Sequence, residues 1–333
     1  MFRTSCVLSL VLLVTQCAFG ADIRVGIIGC DTSHAGAFTN VFNQANPAEE
    51  LAGIRVVAAF PTSSDDIPAS KDRVVKFTKE LEQKGVKIVS SMDELLRQVD
   101  AVLLESVDGR NHLELATAVI NANKPLFIDK PLAHSLKDAV AILELAREKK
   151  VPCFSSSSLR FTPGVIDARD NAAVGKITGC DTFGPCTLEP HHPDLFWYGV
   201  HGVEMLFTVM GPGCESVTRT GTDSTDVVVG KWKDGRIGTF RGIREGAADY
   251  GATVFGSKSV ARSGKYPGYK PLVTQIAKFF RTGEPPVNPE ETLEIMAFME
   301  GADESKKTGR AVTMSDVFAR AQKPNISVTG SKK

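Results

Sequence analysis

Lys130 is the residue of this chain whose setting most directly suggests chemistry. It follows an apolar run and precedes a proline, in the segment Phe127–Leu132 (FIDKPL). Ligands of open α/β sheets bind at the carboxyl ends of the strands, so a lysine at such an end points toward a cleft. There it can exchange a proton with a sugar hydroxyl. Taken alone, the segment is also compatible with a solvated lysine in a turn.

A second segment has the form of a nucleotide-binding loop but lacks two of its glycines. Residues 24–34 (RVGIIGCDTSH) predict a buried strand and a tight turn that opens a helix, where a dinucleotide-binding fold holds a pyrophosphate. A G-x-G-x-x-G pattern would begin at Gly29, yet Asp31 and His34 occupy its second and third glycine positions. Asp31 would bring a carboxylate near the pyrophosphate. The alternative is that residues 31–33 cap the helix.

Histidines and aromatic residues cluster further along the chain. His191, His192 and Asp194 offer imidazole and carboxylate groups, which suit zinc, but their spacing matches no established metal motif. We therefore predict no metal site. Trp197 and Tyr198 supply flat apolar faces with hydrogen-bonding tips. A sugar site needs such residues, and so does an interface between domains.

The elements that would position these residues alternate between strand and helix in the first half of the chain. Apolar runs predict six strands, at Ile23–Ile28, Ile54–Ala59, Val86–Ile88, Ala101–Leu104, Pro125–Ile128 and Val151–Ser155. Helical spacing predicts helices between them, at His34–Ala45, Val74–Lys84, Met92–Arg97, His112–Ala122 and Leu136–Lys149. Strands alternating with helices imply a parallel sheet with right-handed crossovers. We therefore predict an α/β fold whose N-terminal domain, residues 21–157, is a Rossmann-type doubly wound parallel sheet.

The pattern changes after Phe161. Strand-like runs are found at Lys176–Leu188, Ser216–Gly221, Asp226–Lys233, Arg236–Ile243 and Ala252–Phe255, with a hairpin turn at Lys233–Gly235. Helical segments surround them at Val200–Met210, Pro271–Arg281 and Glu290–Lys307. This grouping predicts a C-terminal α+β domain, residues 158–320, with an open, mostly antiparallel sheet. A disordered tail over residues 321–333 would follow.

The first twenty residues have the pattern of a secretory signal peptide. A positive start is followed by an apolar run over Val7–Val14 and by small residues near position 20. The run is shorter than the roughly 20 apolar residues of a membrane span. No arginine pair precedes it, so we expect export by the general secretory route, to the periplasm or the medium, with no membrane attachment after cleavage. The alternative, a buried first strand, is less favoured because a better one follows.

Composition narrows the partners further. The 39 Lys and Arg residues balance the 39 Asp and Glu residues and form no basic run, so nucleic acid is not an expected partner. Of the seven cysteines, five lie beyond residue 20, without C-x-x-C spacing. We expect them to be small buried residues with at most one or two disulfide bridges.

Four short motifs in this order resemble those of the glucose–fructose oxidoreductase, inositol dehydrogenase and MocA (Gfo/Idh/MocA) family. The resemblance covers nearly all of residues 22–315. The family's Glu-Lys-Pro signature appears as Asp129-Lys130-Pro131, and its Asp-x-Gly-x-His motif as WYGVH, ending at His201. A helix opened by Asn111-His112 and a helix end over Gly301–Arg310 complete the set.

The resemblance implies a homo-oligomeric oxidoreductase that acts on a sugar or sugar-derived alcohol while a nicotinamide cofactor, NAD or NADP, takes the hydride. Lys130 and His201 carry over as its catalytic proton-transfer residues. The family's aspartate does not, because Trp197 stands in its place, and Asp194 is a possible substitute. The cofactor-binding residues would be Gly29, Asp31, Thr32, Ser33, His34, Ser106, His112 and Asp129. The contacts to a carbohydrate or polyol substrate would be Arg160, His191, His192, Asp194, Trp197 and Tyr198, with a plain salt bridge as the alternative for Arg160.

Two other functions stay open. The loss of two glycines at Asp31 and His34 and of the motif aspartate at Trp197, together with the signal peptide, suits an exported carbohydrate-binding protein that has lost nucleotide binding. Redox-neutral sugar chemistry, as in a lyase or hydrolase that uses the same cleft, is the other. A metal at His191, His192 and Asp194 would belong to that last reading.

Overall fold

The computed structural model describes residues 22–322, and the predicted signal peptide at residues 1–20 lies outside them, as do residues 323–333 of the predicted tail. The first sheet has six parallel strands in the order β3-β2-β1-β4-β5-β6. They are β1 (Ile23–Ile28), β2 (Ile54–Phe60), β3 (Lys87–Ile88), β4 (Ala101–Leu104), β5 (Leu126–Asp129) and β6 (Cys153–Ser156). The connecting helices are α1 (Ser33–Phe42), α2 (Pro68–Gln83), α3 (Met92–Gln98), α4 (His112–Asn121) and α5 (Leu136–Lys149).

The second sheet has seven strands in the order β12-β11-β7-β10-β9-β8-β13. They are β7 (Ile177–Pro185), β8 (Cys214–Gly221), β9 (Thr225–Trp232), β10 (Ile237–Ile243), β11 (Gly251–Gly256), β12 (Val260–Arg262) and β13 (Val312–Thr313). The helices of this half are α6 (Pro163–Asp170), α7 (Val200–Met210), α8 (Lys270–Thr282), α9 (Pro289–Thr308) and α10 (Met314–Ala321). The pair β7–β10 is parallel and the other pairs are antiparallel. The predicted fold class, a Rossmann-type domain followed by an α+β domain with a mostly antiparallel sheet, is confirmed.

Apolar burial explains why the parallel sheet has helices on both faces. Every residue of β4 and β5 is buried, which is the pattern of parallel strands covered on both sides. On one face, Phe38 and Phe42 of α1 pack in the same apolar cluster as Leu272 and Ile276 of α8. The chain therefore returns to the first domain after most of the second domain has been formed. The predicted domain boundary at residue 157 does not include this return.

The second sheet is covered on one face only. The helix α7 packs on β7 and β10, and all of its residues are buried. On the opposite face Phe183 of β7, Ile237 of β10 and Val260 of β12 are exposed. This face therefore carries exposed apolar side chains among polar ones such as Asp181 and Arg241.

The five described cysteines agree with the expectation of small buried residues. Each is buried and free of a disulfide bond: Cys30, Cys153, Cys180, Cys186 and Cys214. Within residues 22–322 no helix combines the length and apolar character that crossing a membrane requires.

Candidate active site

Lys130 lies where β5 ends at the carboxyl edge of the parallel sheet. The strand is buried up to Asp129, and Lys130 follows in cis peptide linkage to Pro131. Its Nζ lies 5.8 Å from the centre of the Tyr198 ring, which precedes α7 in the second domain. A cation near an aromatic face is attracted by the ring quadrupole. Lys130 therefore faces the second domain across the cleft between the two sheets.

His201 reaches the same place from the second domain. It lies in the first turn of α7, after a π-helical turn over Leu195–Gly199, and its Nδ1 is 2.7 Å from the Ser157 hydroxyl that follows β6. Burial, with the positive charge of Lys130 second, lowers the pKa of His201 well below its usual range. The imidazole is therefore neutral at pH 7. Because Ser157 holds Nδ1, Nε2 is the nitrogen left to exchange a proton.

All four tyrosines of the chain lie at this cleft. The rings of Tyr198 and Tyr250 are centred 5.1 and 5.9 Å from the His201 ring, and Tyr266 lies 6.1 Å from both Tyr250 and Tyr269. Burial, with Tyr198 next, raises the pKa of Tyr250, so its hydroxyl stays protonated. Aromatic faces with hydroxyl tips can pack against a sugar ring and bond its oxygens.

The start of α1 has kept one glycine of the nucleotide-binding pattern. Gly29 has a φ of +90°, and a Cβ there would lie 2.3 Å from the backbone nitrogen of Ser106, so no other residue fits. Thr32 caps the helix, because its hydroxyl accepts from the backbone N–H of His34 at 3.0 Å. Ser33 follows as the first helical residue and is exposed.

Asp31 holds two loops together. Its side chain is fully buried, and its two oxygens accept hydrogen bonds from the Ser70 hydroxyl at 2.6 Å and from the Val107 backbone N–H at 3.1 Å. Burial raises the pKa of this carboxyl, and the two donors oppose that rise. Ser70 belongs to α2, which follows β2, and Val107 to the loop after β4. Both oxygens of Asp31 therefore accept hydrogen bonds from the elements on either side of β1, namely α2 and the loop after β4.

The same two loops are bonded to each other directly. The Ser64 hydroxyl donates to Asp108 at 2.5 Å and accepts from the Asn111 amide at 3.0 Å. Arg110 pairs with both Asp66 at 2.7 Å and Asp108 at 2.8 Å. In a dinucleotide-binding fold, the loop after the second strand carries the acid that bonds the adenosine ribose. Here one of the two acids of that loop, Asp66, is paired with Arg110, and the other, Asp65, is exposed.

His34 spans the middle of the cleft. Its Nδ1 is 2.8 Å from Asp129 Oδ2, and its ring packs on Phe38 at 5.7 Å and edge-on against Tyr269 at 4.8 Å. Burial raises the pKa of Asp129, but the neighbouring His34 and Lys130 together outweigh burial and bring it below its usual value. Glu105, in the loop after β4, lies beside this pair and is fully buried. Burial, followed by the charge of Asp129, raises the pKa of Glu105 well above its usual range.

His112 supports the two loops that carry Ser106 and Lys130. It is fully buried, with Nε2 2.8 Å from the Ser106 carbonyl oxygen and Nδ1 3.1 Å from that of Pro131. The Ser106 hydroxyl is buried and has no hydrogen-bond partner among the described residues. His112 thus fixes the distance between the ends of β4 and β5, and Ser106 keeps a hydroxyl free.

Arg160 is enclosed in an ion-pair network. Its guanidinium lies 2.7 Å from Glu204 of α7 and 2.7 Å from Glu291 of α9, and only 8% of the residue is exposed. Of the two predictions for Arg160, this geometry is that of the salt-bridge partner. Its third nitrogen, Nη2, is buried without a hydrogen-bond partner among the described residues.

The cluster of histidines before α7 does not converge. His192 is buried, with its ring 4.9 Å from Trp197, and His191 is exposed. Each residue of the hypothetical metal set has a separate partner: Glu189 for His191, Asp108 for His192, and Arg219 with Lys306 for Asp194. Asp194 is thus engaged by Arg219 and Lys306, and the hydrogen-bond partner of the His201 imidazole is Ser157.

Sequence reasoning missed five residues that face this cleft. Three are tyrosines, and the others are a buried acid and the serine that holds His201: Tyr250, Tyr266, Tyr269, Glu105 and Ser157. No local motif marks them, because they meet the site from four separate loops. The one available signal was compositional, since all four tyrosines fall between residues 198 and 269.

Comparison with known families agrees with this architecture. The family model GFO_IDH_MocA, described as an oxidoreductase family with an NAD-binding Rossmann fold, matches residues 23–157. The Rossmann-type domain of this chain thus matches the Gfo/Idh/MocA family, and the fold of both domains is shared with solved oxidoreductases. The resemblance stated from its motifs is thereby confirmed.

Curated Gfo/Idh/MocA relatives are similar over part of their length. A myo-inositol 2-dehydrogenase of Thermotoga maritima is 27% identical over 184 residues, which is 48% of this chain and 55% of the relative. An uncharacterized oxidoreductase of Streptococcus pneumoniae is 26% identical over 157 residues, 42% of each chain. The chain thus spans about half the length of these relatives.

Solved structures share the whole Gfo/Idh/MocA fold. A probable dehydrogenase of Thermotoga maritima superposes with a TM-score of 0.71 at 22% identity, covering 89% of this chain and 100% of that one. A scyllo-inositol dehydrogenase of Lactobacillus casei with bound NAD(H) and scyllo-inositol has a TM-score of 0.70 at 14% identity, covering 88% and 99%. At these identities the likeness establishes the fold.

Proposed function

We propose that this protein is an NAD(P)-dependent oxidoreductase that acts on a sugar or sugar-derived alcohol, with Lys130 and His201 in proton transfer. The observation that carries the proposal is the meeting of these two residues beside Tyr198 at the carboxyl edge of the parallel sheet. Each comes from a different domain, so the complete chain assembles the pair. The match of the Rossmann-type domain to an oxidoreductase family supports the reaction class.

The fit of a nicotinamide dinucleotide can be tested on two features. The carboxylate of Asp31 is engaged on both oxygens, which hold it toward Ser70 and Val107 and leave neither oxygen without a protein donor at the start of α1. The Ser106 hydroxyl is buried without a partner in residues 22–322, and Ser33 is exposed at the first turn of α1. These residues fit the group, and Thr32, Ser33 and Ser106 would hold it. The bound nicotinamide would supply the hydride acceptor.

The neutral imidazole of His201 is suited to take the hydroxyl proton of the substrate. In the tautomer that carries its proton on Nδ1, the Ser157 oxygen accepts from Nδ1–H and Nε2 is the acceptor for the substrate proton. The ammonium of Lys130 would donate a hydrogen bond to the same substrate oxygen and stabilise its developing negative charge. The Ser157 hydroxyl thus performs the orienting role that the family's aspartate, replaced here by Trp197, would have had.

The tyrosines and Trp197 favour a polyhydroxylated ring as substrate. Apolar ring faces pack on the C–H face of a sugar, and the phenol groups bond its hydroxyls. The names of two relatives, a myo-inositol 2-dehydrogenase and a scyllo-inositol dehydrogenase, support a cyclic polyol. We propose a small neutral sugar or cyclitol.

The test begins with the purified protein. Denaturation should release NAD or NADP, or fresh NAD(P)H should bind with a saturable change in its fluorescence. A panel of cyclitols and aldoses should then give cofactor reduction with at least one member. Absence of binding at millimolar cofactor would refute the cofactor assignment.

A second candidate is a cofactor-free protein that binds or transforms a carbohydrate without net redox change. The hydrogen bonds of Asp31, Ser64 and Asp108 between the loops after β2 and β4 favour it, because an adenosine group would have to enter there. It is distinguished by calorimetry. Sugar binding that is unchanged by added NAD(P) would support this candidate.

We also propose export and self-association. The pattern of residues 1–20 supports cleavage near Gly20, and N-terminal sequencing of the exported protein would test it. The uncovered sheet face around Phe183, Ile237 and Val260 supports a homo-oligomer. Light scattering on the purified protein measures its mass, and a monomer at micromolar concentration would contradict this proposal.

A further inference from the structure

Glu105 is a fully buried carboxylate at the cleft that the proposed reaction does not use. It lies in the loop after β4, with no exposed surface. Neither of its oxygens has a hydrogen-bond partner among residues 22–322. Burying a carboxylate without a partner is costly, and buried polar groups nearly always have one. An unpaired buried acid at a cleft therefore calls for a ligand or a proton.

The groups beside Glu105 are those that bind metal ions. His34, Glu105 and Asp129 each offer one ligand atom, and these three atoms lie within 4.8 Å of one another. They come from the first turn of α1 and from the loop or strand ends of β4 and β5. All three positions belong to the rigid carboxyl edge of the parallel sheet. Such an arrangement holds ligand atoms in place before an ion arrives.

We infer that His34, Glu105 and Asp129 form a binding site for one divalent transition-metal cation. Bonds of about 2.0–2.3 Å place two ligands of one ion up to about 4.6 Å apart. The observed spacing is close to that limit, and modest side-chain rotation brings it within. The cation would replace the proton that His34 and Asp129 now share across 2.8 Å. It would also give Glu105 its missing partner.

The donor set selects the class of cation. One imidazole and two carboxylates, with no thiolate, suit Mn²⁺ or Zn²⁺. Calcium would require six to eight oxygen ligands, more than this group supplies. Three protein ligands leave coordination positions open toward the cleft. Those positions suit water or a pair of neighbouring sugar oxygens.

Access and charge are both compatible with such an ion. The His34 side chain keeps 13% of its surface exposed, so the site opens to the cleft, whereas Asp129 is 5% exposed. Two carboxylates balance a double positive charge. Lys130 is the other cation near the site, and its ammonium lies toward the Tyr198 ring. The site does not depend on a bound dinucleotide, so its test is separate from that of the proposed function.

The experiment measures metal binding by the full-length purified protein without cofactor or substrate. After treatment with a chelator, we expect the protein to bind one Mn²⁺ per chain. Binding is measured as the loss of the electron paramagnetic resonance signal of free Mn²⁺, and we expect Zn²⁺ to compete for the same site. Loss of an outer-shell partner typically weakens metal binding 10–100-fold, so loss of a ligand in Glu105→Gln should weaken it by about 100-fold or more. The matched control is Glu114→Gln, the same change at an exposed position of α4, which should bind as the wild type does.

A second variant keeps the test independent of folding. His34→Gln alters the ligand nearest the surface and should also lose binding, while circular dichroism confirms the fold of each variant. Mn²⁺ should raise the melting temperature of the wild type and leave that of Glu105→Gln unchanged. No saturable binding up to millimolar Mn²⁺ or Zn²⁺ would overturn the inference and mean that Glu105 carries a proton. Unchanged binding by Glu105→Gln would overturn it as well.

Discussion

The two halves of the cleft use their polar groups in opposite ways. On the side of Lys130 and His201, the reactive nitrogens face a wall of tyrosines and have few protein partners. On the side of Asp31 and Asp108, the carboxylates bond serines, an arginine and backbone N–H groups of neighbouring loops. The polar groups of the first half are available to a ligand, whereas those of the second half are used in hydrogen bonds between neighbouring loops.

The difference bears on where a ligand can enter the cleft without breaking hydrogen bonds between loops. A hydrogen bond within a protein contributes about 1 kcal/mol net, so several bonds between two loops resist their separation. A dinucleotide must compete with those bonds to lie along the loop after β2. A substrate beside Lys130 meets no such competition. Four predictions test this contrast.

Lys130→Ala should have the largest effect. Removing a proton-transfer group typically costs 10²–10⁴-fold in rate, so we expect kcat on the true substrate to fall about 1,000-fold. The melting temperature should change little, because the side chain is only partly buried. The control is Lys137→Ala, at an exposed position of α5. Full activity in the Lys130 variant would remove Lys130 from the mechanism.

Asp31→Ala should destabilise the half of the cleft in which the loops after β2 and β4 are hydrogen-bonded to each other. The Ser70 hydroxyl and the Val107 N–H would be left buried without an acceptor, which costs about 2–3 kcal/mol of unfolding free energy. Asp31→Asn is the matched control, since it keeps an acceptor for one of the two donors. Urea denaturation measures both. If the hydrogen bonds of Asp31 to Ser70 and Val107 hinder cofactor binding, the Asp31→Ala variant should also bind NAD(P)H more tightly. Equal stability of the alanine and asparagine variants would argue against a stabilising role of these bonds.

Asp108→Asn should reveal a pH-dependent contribution to stability. Burial pushes the pKa of Asp108 up, but hydrogen bonds from His192, Arg110 and Ser64 outweigh it and hold the pKa below its ordinary value of 3.8. A depressed pKa stabilises the folded state above about pH 4, and that contribution is lost as the pH falls through the folded-state pKa.

The asparagine variant should therefore lose about 1–2 kcal/mol at pH 7, and its deficit should shrink below pH 4. Urea denaturation at pH 7, 5 and 3 makes the comparison. Asp65→Asn, the same change at an exposed position of the facing loop after β2, serves as the control. A deficit that is constant across this range would show that the ionised carboxylate is not the source.

Ser157→Ala should have the smallest effect, and it tests the half of the cleft that contains Lys130 and His201. Loss of the bond to His201 Nδ1 should lower kcat about 3–10-fold by freeing the imidazole, with little change in KM. Ser157→Thr keeps the hydroxyl and should restore most of the rate. Equal activity of the alanine and threonine variants would mean that another group orients His201.

The parallel sheet could be predicted well from the sequence because its strands are short, continuous apolar runs. Runs such as Ala101–Leu104 are apolar throughout and separated by helical periods, so strand, helix and order follow from local pattern. The helix Val200–Met210 was likewise predicted at its observed bounds. Short pieces such as β12 and β13 were missed, because three or two residues carry no periodic pattern.

The site was predictable only where a motif is contiguous in the chain. Lys130 and His201 stand in short signatures, whereas Ser157, Glu105 and Tyr269 act by meeting other segments in space. The direction of the Asp31 side chain was also beyond reach, because it depends on Ser70 and Val107, distant by 39 and 76 positions. Long-range pairings of this kind have no local trace in one sequence.

The return of α8 to the first domain makes the chain one folding unit. Leu272 and Ile276 cover apolar residues of α1, among them Phe38 and Phe42. A fragment ending near residue 157 would expose that surface to water and lack its natural cover. Its expression alone should yield aggregates, and a fragment that includes the cleft also needs the last third of the chain. Tyr269 of the cleft and the apolar cover of α1 thus come from neighbouring residues of one late segment.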